Sequence, residues 1–209
     1  MRVSLSIAAA LAGTAVAAPA PKIPFVASSD VIPVSNTAAV VARQSKACFV
    51  IGSTTLPKET ADIADDLAST VTCSNTAKTL SNVPDVTSGS TTFSSIDFSQ
   101  SNQTPLQFSL SQFATANPLA STDLATFQDM LNVYQATEAG IRSVGGSLAI
   151  KVPKFFLEMQ VSRIQTAQGN PPTAAGLQVD HLRDKVLKNA PREAQALLNQ
   201  VTQLATQLS

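Results

Sequence analysis

The sequence of 209 residues is poor in aromatic and charged side chains: it has no tryptophan, one tyrosine and one histidine, and charged residues make up 13% of it. That charged share is about half of what soluble domains usually carry. Basic and acidic residues number 14 each, so the formal net charge is zero. A protein that binds nucleic acid by neutralising phosphates needs an excess of basic side chains, and this class is therefore excluded.

The single histidine, His181, excludes several kinds of metal site. Two-iron helical bundles need two Glu-x-x-His motifs and zinc proteases need His-Glu-x-x-His, so neither can be assembled. The sequence also lacks the Gly-x-Ser-x-Gly motif and the glycine-rich phosphate-binding loops. We therefore expect no metal and no cofactor. A hydrolase that uses His181 with a serine and an aspartate stays open as an alternative, because the members of a triad meet in space.

The first 17 residues have the pattern of a secretory signal peptide. Arg2 precedes an apolar run, and the small residues Ala15 and Ala17 fit a cleavage site after Ala17. No later run reaches the roughly 18 apolar residues that a membrane span needs, and the last residues lack the hydrophobic tail of a lipid-anchor signal. The sequence predicts a secreted protein, outside the cell or in the cell wall, with no membrane span or lipid anchor.

Residues 18–45 are predicted to be an extended, proline-rich leader or pro-segment. Four prolines fall among scattered valine and alanine residues, without the period of a helix or a strand. The remaining residues, 46–209, are enough for a single globular domain with a sizeable core.

Two further features follow from a secreted location. Cys48 and Cys73 are the only cysteines, so an oxidising compartment favours one disulfide between them. Asn102 begins the only N-glycosylation sequon, which ends at Thr104, and Pro105 directly after it lowers its expected use. We predict a disulfide between Cys48 and Cys73 and a glycosylation site at Asn102.

The first half of residues 46–209 is predicted to be irregular and to contain a few strands. Residues 48–51 (CFVI) predict a buried strand or an extended segment, and Pro57 then opens a helix with apolar residues every four positions. Serine and threonine fill ten of the 18 positions in residues 87–104, and within this range residues 93–98 indicate a strand or a β-arch. Residues 106–113 fit either a short strand or a helical turn.

Beyond Pro118 the apolar residues recur at helical spacing and predict a C-terminal bundle of about four helices. The first helix is expected to begin at Ser121 or Thr122 and to end near residues 145–146. The second begins at Pro153, the third covers residues 173–189, and the fourth begins at Pro191. The predicted fold is mainly α, with α+β as the alternative.

Charge is distributed unevenly along the chain. Residues 142–209 carry eight basic and four acidic side chains, whereas residues 44–141 carry three basic and nine acidic ones. This pattern predicts attraction between the two halves. The alternative is an effector that docks on host proteins through a basic face that includes Lys185 and Lys188.

A candidate ligand site lies at the start of the second predicted helix of the bundle. Lys151 and Lys154 flank this start, and Phe155 and Phe156 put apolar residues on more than one side of the helix. A fully buried helix explains this pattern. The functional alternative is a pocket in which the aromatic rings hold an apolar ligand, while Arg142 or a lysine binds its polar head.

Four segments resemble an uncharacterised family of fungal secreted proteins: residues 83–89 (VPDVTSG), 93–98 (FSSIDF), 138–146 (EAGIRSVGG) and 169–176 (GNPPTAAG). The resemblance covers most of residues 46–209, implies secretion and a single domain, and assigns no functional residue. In general plan the chain is similar to fungal helical surface-binding proteins and wall mannoproteins, which bind lipids or hydrophobic surfaces. The expected protein is a secreted, non-enzymatic fungal binding or structural module, whose partner is a small apolar ligand or a cell-wall component.

Overall fold

The structure, a computed structural model, describes residues 46–209. This part of the chain contains six α-helices, several short 3-10 segments and one small antiparallel sheet. The mainly α architecture predicted from the sequence is confirmed, with all three strands in the first half and four of the helices in the second. In chain order the elements are α1 (Lys58–Leu67), β1 (Thr72–Lys78), β2 (Pro84–Ser88), β3 (Thr91–Thr92), α2 (Pro105–Gln112), α3 (Leu124–Ser143), α4 (Lys151–Ala167), α5 (Val179–Asn189) and α6 (Gln195–Thr206). The predicted signal peptide and leader lie outside the described residues.

The sheet has the strand order β1-β2-β3, and both neighbouring pairs are antiparallel. A two-residue turn joins β2 to β3, because Ser88 pairs with Thr91. Gly89 in this turn has a φ of +54°, a left-handed conformation that glycine adopts without strain. The Ser88 hydroxyl donates a hydrogen bond to Asp129 Oδ1 of α3 over 2.8 Å, so the hairpin packs directly on this helix.

Residues 93–98, for which the sequence predicts a strand or a β-arch, form two 3-10 turns instead, Phe93–Ile96 and Phe98–Gln100. The apolar side chains of this segment are buried, but the predicted conformation is wrong. The carboxylate of Asp97 accepts a hydrogen bond from the Ser99 N–H over 2.9 Å. Such local bonds from side chain to backbone hold a turn and compete with the ladder of a sheet.

Residues 48–51 form no strand: Cys48 and Phe49 lie in a turn, and Val50 and Ile51 follow it without regular secondary structure. The Val50 N–H donates a hydrogen bond to the Ala47 carbonyl over 2.9 Å, so the backbone satisfies itself locally and needs no partner strand. The predicted disulfide is confirmed, with the Cα atoms of Cys48 and Cys73 6.0 Å apart. It ties the residues before α1 to β1, and the loop that it closes contributes about 3.5 kcal/mol in the chain-entropy model.

Residues 106–113 are helical and do not form the alternative short strand, because they lie in α2 and at its C-terminal cap. Thr104 caps this helix, because its hydroxyl accepts a hydrogen bond from the Gln107 N–H over 3.3 Å. The Glu193 carboxylate, from the segment before α6, accepts from Thr104 Oγ1 (2.7 Å) and from the Leu106 N–H (3.3 Å). A negative charge at the N-terminus of a helix is favourable, so this contact stabilises α2 and joins the two halves of the fold.

The four C-terminal helices exist as predicted, and only their ends differ. Asp123 caps α3, in place of Ser121 or Thr122, by accepting a hydrogen bond from the Ala125 N–H over 3.0 Å. Pro153 lies in the first turn of α4 rather than at its start. Helices α5 and α6 begin later than predicted, after short 3-10 or irregular segments.

The hydrophobic core runs through both halves of the fold, and Tyr134 of α3 lies at a junction of several aromatic rings. The Tyr134 ring packs against Phe93, Phe98 and Phe113, with centroid distances of 5.1, 6.5 and 5.7 Å. Its buried hydroxyl donates a hydrogen bond to the Ile96 carbonyl over 2.6 Å. Burial raises the pKa of Tyr134, so the phenol stays a neutral donor.

A buried arginine of α4 contacts the C-terminal end of α6. Arg163 is 2% exposed, and its guanidinium donates hydrogen bonds to the Gln160 side chain and, over 2.8 Å, to the Gln207 carbonyl at the end of α6. None of the ion pairs within residues 46–209 includes Arg163. The partial negative charge at the C-terminus of α6 offsets part of the cost of burying this cation.

Replacing Tyr134 with phenylalanine should lower the free energy of unfolding by about 1–2 kcal/mol, because the buried Ile96 carbonyl loses its donor while the ring packing is kept. Urea unfolding followed by circular dichroism measures this loss. The matched control is Ser95→Ala, which removes an exposed hydroxyl that donates to the Thr92 carbonyl over 2.7 Å. We expect the control to cost less than about 0.5 kcal/mol. Equal losses in the two variants would contradict the role given to the buried bond.

Replacing Gly140 of α3 with alanine should destabilise the fold by about 1–3 kcal/mol. A Cβ atom at this position would lie 2.6 Å from Val83 Cγ1 and 2.7 Å from the Phe49 carbonyl oxygen. Intrinsic helix propensity favours alanine over glycine by about 1 kcal/mol, so the sign of the change shows which effect dominates. The control is Gly176→Ala, where a Cβ atom meets nothing within 4 Å. The same urea unfolding experiment measures both, and a stabilised Gly140→Ala variant would refute the close packing.

Candidate functional site

A cluster of charged side chains lies where the C-terminal half of α3 faces the first half of α4. Helix α3 contributes Glu138 and Arg142, and α4 contributes Lys154 and Glu158. Residues four positions apart lie on the same face of a helix, so each helix presents one acid and one base to the other. We call these four side chains the ion cluster.

Ion pairs connect the members of the ion cluster. One oxygen of Glu138 accepts from Nε and Nη2 of Arg142 (2.8 and 2.7 Å), and its other oxygen lies 3.0 Å from Lys154 Nζ. Lys154 Nζ also lies 3.6 Å from Glu158 Oε1, which accepts a hydrogen bond from Gln135 Nε2 over 3.2 Å. Lys154 therefore lies between two carboxylates.

The burial of Glu138 and Lys154 makes their charges depend on each other; their side chains are 5% and 10% exposed. Burial by itself raises the pKa of Glu138, but Lys154 and Arg142 outweigh it and hold this pKa below its ordinary value. Burial likewise lowers the pKa of Lys154, and Glu158 and Glu138 together outweigh that effect and raise it. Both groups stay charged, and removing one would leave the other buried without its partner.

The pKa of Glu158 is shifted in the opposite direction from the pKa of Glu138. Burial raises the pKa of Glu158, the nearby Glu138 carboxylate adds to the rise, and Lys154 offsets only part of it. When Glu158 binds a proton, the ion cluster becomes more positive.

Three lysines surround the ring of Phe155, beside the ion cluster. Lys154 Nζ lies 3.9 Å from the ring centroid, and the Nζ atoms of Lys151 and Lys185 lie 6.0 and 5.9 Å from it. Aromatic rings attract cations over such distances. Lys185 belongs to α5, so a third helix reaches this place. We call Phe155, Lys151 and Lys185 the lysine patch.

The lysine patch carries positive charge that the rest of residues 46–209 does not neutralise by ion pairing. Neither Lys151 nor Lys185 takes part in an ion pair within this range, whereas Lys154 takes part in two. Burial lowers the pKa of Lys151, and the nearby Arg142 lowers it further. The ion cluster and the lysine patch together contain four cations and two carboxylates, which leaves an excess of positive charge.

The structure brings together four of the five predicted ligand residues: Arg142, Lys151, Lys154 and Phe155 all lie in the ion cluster or the lysine patch. Phe156 lies in the hydrophobic core and is fully buried, as the buried-helix interpretation expects. Phe155 and the charged side chains around it therefore form a partly exposed surface, while Phe156 is buried in the core. The binding role of these residues stays a prediction.

Sequence reasoning did not assign three members of this region to the ligand site: Glu138, Glu158 and Lys185, of which Lys185 was named only as part of a basic docking face. A signal for the two glutamates was present, because Glu138 precedes Arg142 by four residues and Glu158 follows Lys154 by four, the spacing of helical ion pairs. For Lys185 the sequence contains no such signal, since its contact with Phe155 arises only when α5 packs against α4.

The remaining predicted site residues lie elsewhere. His181 is exposed in the first turn of α5, and its imidazole makes none of the side-chain hydrogen bonds found in residues 46–209, while its neighbour Asp180 pairs with Arg183 over 2.9 Å. Asn102 is exposed in the irregular segment before α2, two residues before the helix cap Thr104. The hydrolytic role of His181 and the glycosylation of Asn102 both stay predictions.

Residues 46–209 also bear on two other kinds of site, a metal centre and a membrane span. No three His, Cys, Asp or Glu side chains in this range come together as a metal site requires. Each helix in the same range is too short or too polar to cross a membrane.

Glu158→Gln should change how stability depends on pH. A carboxyl group whose pKa is raised by folding stabilises the fold fully below its unfolded pKa, near 4.5, and this contribution is lost as the pH rises through the folded pKa. We expect wild-type protein to lose stability relative to Glu158→Gln as the pH rises above 4.5, because glutamine has no proton to lose. Urea midpoints across this pH range measure the difference. Asp184→Asn, at an exposed acid of α5, is the control, and identical pH profiles for wild type and Glu158→Gln would refute this account.

Comparison with known protein families gives one match, over residues 50–209, to the family described as Domain of unknown function (DUF7143). The matched range contains all six helices, the sheet, the ion cluster and the lysine patch. Neither the comparison with curated proteins nor the comparison with solved structures gave a match. The expected resemblance to an uncharacterised family is confirmed, while the fungal source stays a prediction. Since the match covers most of the sequence, the chain belongs to the DUF7143 family.

Proposed function

We propose that this chain is a secreted, non-enzymatic fungal binding module, which acts outside the cell or in the cell wall and takes up a small ligand with an apolar body and an anionic head. The observation that carries the proposal is the lysine patch, a half-buried ring flanked by two ammonium groups that form no ion pair within residues 46–209. The signal-peptide pattern of residues 1–17 and the disulfide support secretion. The four segments that resemble fungal secreted proteins support a fungal source.

The charges of the lysine patch favour an anionic head. Lys154 and Arg142 are engaged by the carboxylates of the ion cluster, so the charges of Lys151 and Lys185 are the ones left for a ligand. Their ammonium groups lie near the same ring and repel each other. An anion placed between them replaces this repulsion with two attractions. Helices α4 and α5 already hold both backbones in place, which reduces the entropy lost on binding.

The ring of Phe155 favours a ligand with an apolar part. Lys154 covers the ring at 3.9 Å, yet the residue remains partly exposed. Phe156, next in sequence, packs in the core and anchors this turn of α4. An apolar chain that lies along Phe155 would remove water from the ring while its head group contacts the lysines.

The contacts of the charged groups favour binding over catalysis. Glu138, Arg142 and Lys154 pair with one another, which holds them in place and uses their charge. Covalent catalysis by a lysine needs a neutral amine, whereas the two carboxylates beside Lys154 raise its pKa and keep its ammonium group protonated. The neighbouring charges of Lys151 and Lys185, which no ion pair within residues 46–209 uses, are suited to binding a head group.

The test is calorimetric titration of the full secreted chain with decanoate, a carboxylate with an apolar tail, and with decanol, which has the same tail and no charge. We expect decanoate to bind and decanol not to bind. Lys151→Gln should weaken decanoate binding about tenfold, because one of the two attractions is lost. The control Lys188→Gln, at an exposed lysine of α5, should leave it unchanged. No binding of decanoate to the wild type, or equal effects of both substitutions, would overturn the proposal.

Intact masses of the same secreted protein give an independent check. Native and denatured spectra are compared before and after reduction of the disulfide. Extra mass that is present in the native form and removed by denaturation identifies a ligand taken up during secretion. The denatured mass also reports the signal cleavage site and the state of Asn102.

A further inference from the structure

We infer that the lysine patch prefers a tetrahedral, doubly charged head group, such as phosphate, over a carboxylate, and that Lys185 of α5 is the residue that sets this preference. The inference rests on the proposed function, because it names the chemistry of the head group that the same patch would take.

The balance of charge favours a dianion. Two acids, Glu138 and Glu158, pair with cations in this region, which contains four cations: Arg142 and Lys154 in the ion cluster, and Lys151 and Lys185 in the patch. When both carboxylates are ionised, two positive charges remain. A single carboxylate neutralises one of these charges, whereas a dianion neutralises both. Proton binding by Glu158 would increase the excess.

The charge of Lys185 is left for a ligand because Arg183 forms the ion pairs with both acids of the same helix. The two acids of α5 are Asp180 and Asp184, and both pair with Arg183 at 2.9 Å. Lys185 is directed instead toward Phe155, with its Nζ 5.9 Å from the ring centroid. The second charge of the patch therefore comes from a different helix than the first.

The positions of the two ammonium groups suit an acceptor with oxygens in several directions. Lys151 at the start of α4 and Lys185 on α5 approach the same ring from different helices, at 6.0 and 5.9 Å from its centroid. A carboxylate offers two oxygens in one plane, while a tetrahedral anion offers oxygens around its whole surface. Lysine binds phosphate as a flexible point charge, so two lysines can converge on one such group.

The experiment is calorimetric titration of the full secreted chain with inorganic phosphate, sulfate and acetate at pH 7.5 and constant ionic strength. We expect phosphate and sulfate to bind about tenfold more tightly than acetate, because the second charge adds an attraction. Lys185→Gln should remove this preference, and Lys185→Arg should retain it. Lys188→Gln, three residues further along α5, is the control and should leave it unchanged. Circular dichroism and urea unfolding check that every variant is folded.

Equal affinities for phosphate and acetate, or equal effects of Lys185→Gln and Lys188→Gln, would overturn the inference. If decanoate binds to the wild type and phosphate neither binds nor displaces it, this inference falls while the proposed function stands. If phosphate binds with the predicted preference and decanoate does not, the dianion site stands and the apolar part of the proposed ligand falls. If neither binds, both are refuted.

Discussion

The ammonium group of Lys154 lies between the carboxylates of Glu138 and Glu158, and this contact joins α4 to α3 at the candidate site. A buried charge that loses its partner costs several kcal/mol, so each of these groups restricts where the others can lie. The same ammonium group lies 3.9 Å from the centroid of the Phe155 ring, which Lys185 of α5 also approaches. Its ion pairs use the two carboxylates, which is why the ammonium groups of the lysine patch stay without an ion pair in the described residues.

Elements that depend on local spacing could be predicted, and elements that depend on distant partners could not. The apolar period of α3 to α6 is a property of each segment alone, so the existence of these helices was readable. Their ends depend on single capping groups such as the Asp123 carboxylate, and the predicted ends differ by a few residues. In residues 93–98 the imperfect alternation of Phe93, Ile96 and Phe98 suggested a strand, but the segment forms turns in which aspartates accept hydrogen bonds from the backbone. Asp85, nine residues before Ser94, accepts from the Ser94 N–H over 3.0 Å.

The same distinction applies to the candidate site. Lys151, Lys154 and Phe155 could be selected because they cluster at the start of one predicted helix, and Arg142 because it lies near the end of the preceding one. Glu138 and Glu158 could have been added from their spacing. Lys185 could not, because its proximity to Phe155 depends on how α5 packs on α4 after a long loop. A sequence with little charge overall thus concentrates several of its charges at one place, and only the fold shows which of them remain without a carboxylate partner.

The contact between Glu193 and Thr104 affects how glycosylation of this protein should be studied. A sequon is commonly removed by replacing either its asparagine or its hydroxyl residue, as if the two changes were equivalent. Here Thr104 also caps α2 and donates to Glu193, so its replacement by alanine would weaken the contact between the two halves of the fold. A loss of secretion in such a variant would be mistaken for an effect of the missing glycan. Asn102→Gln leaves both contacts in place and separates the role of the sugar from that of the helix cap.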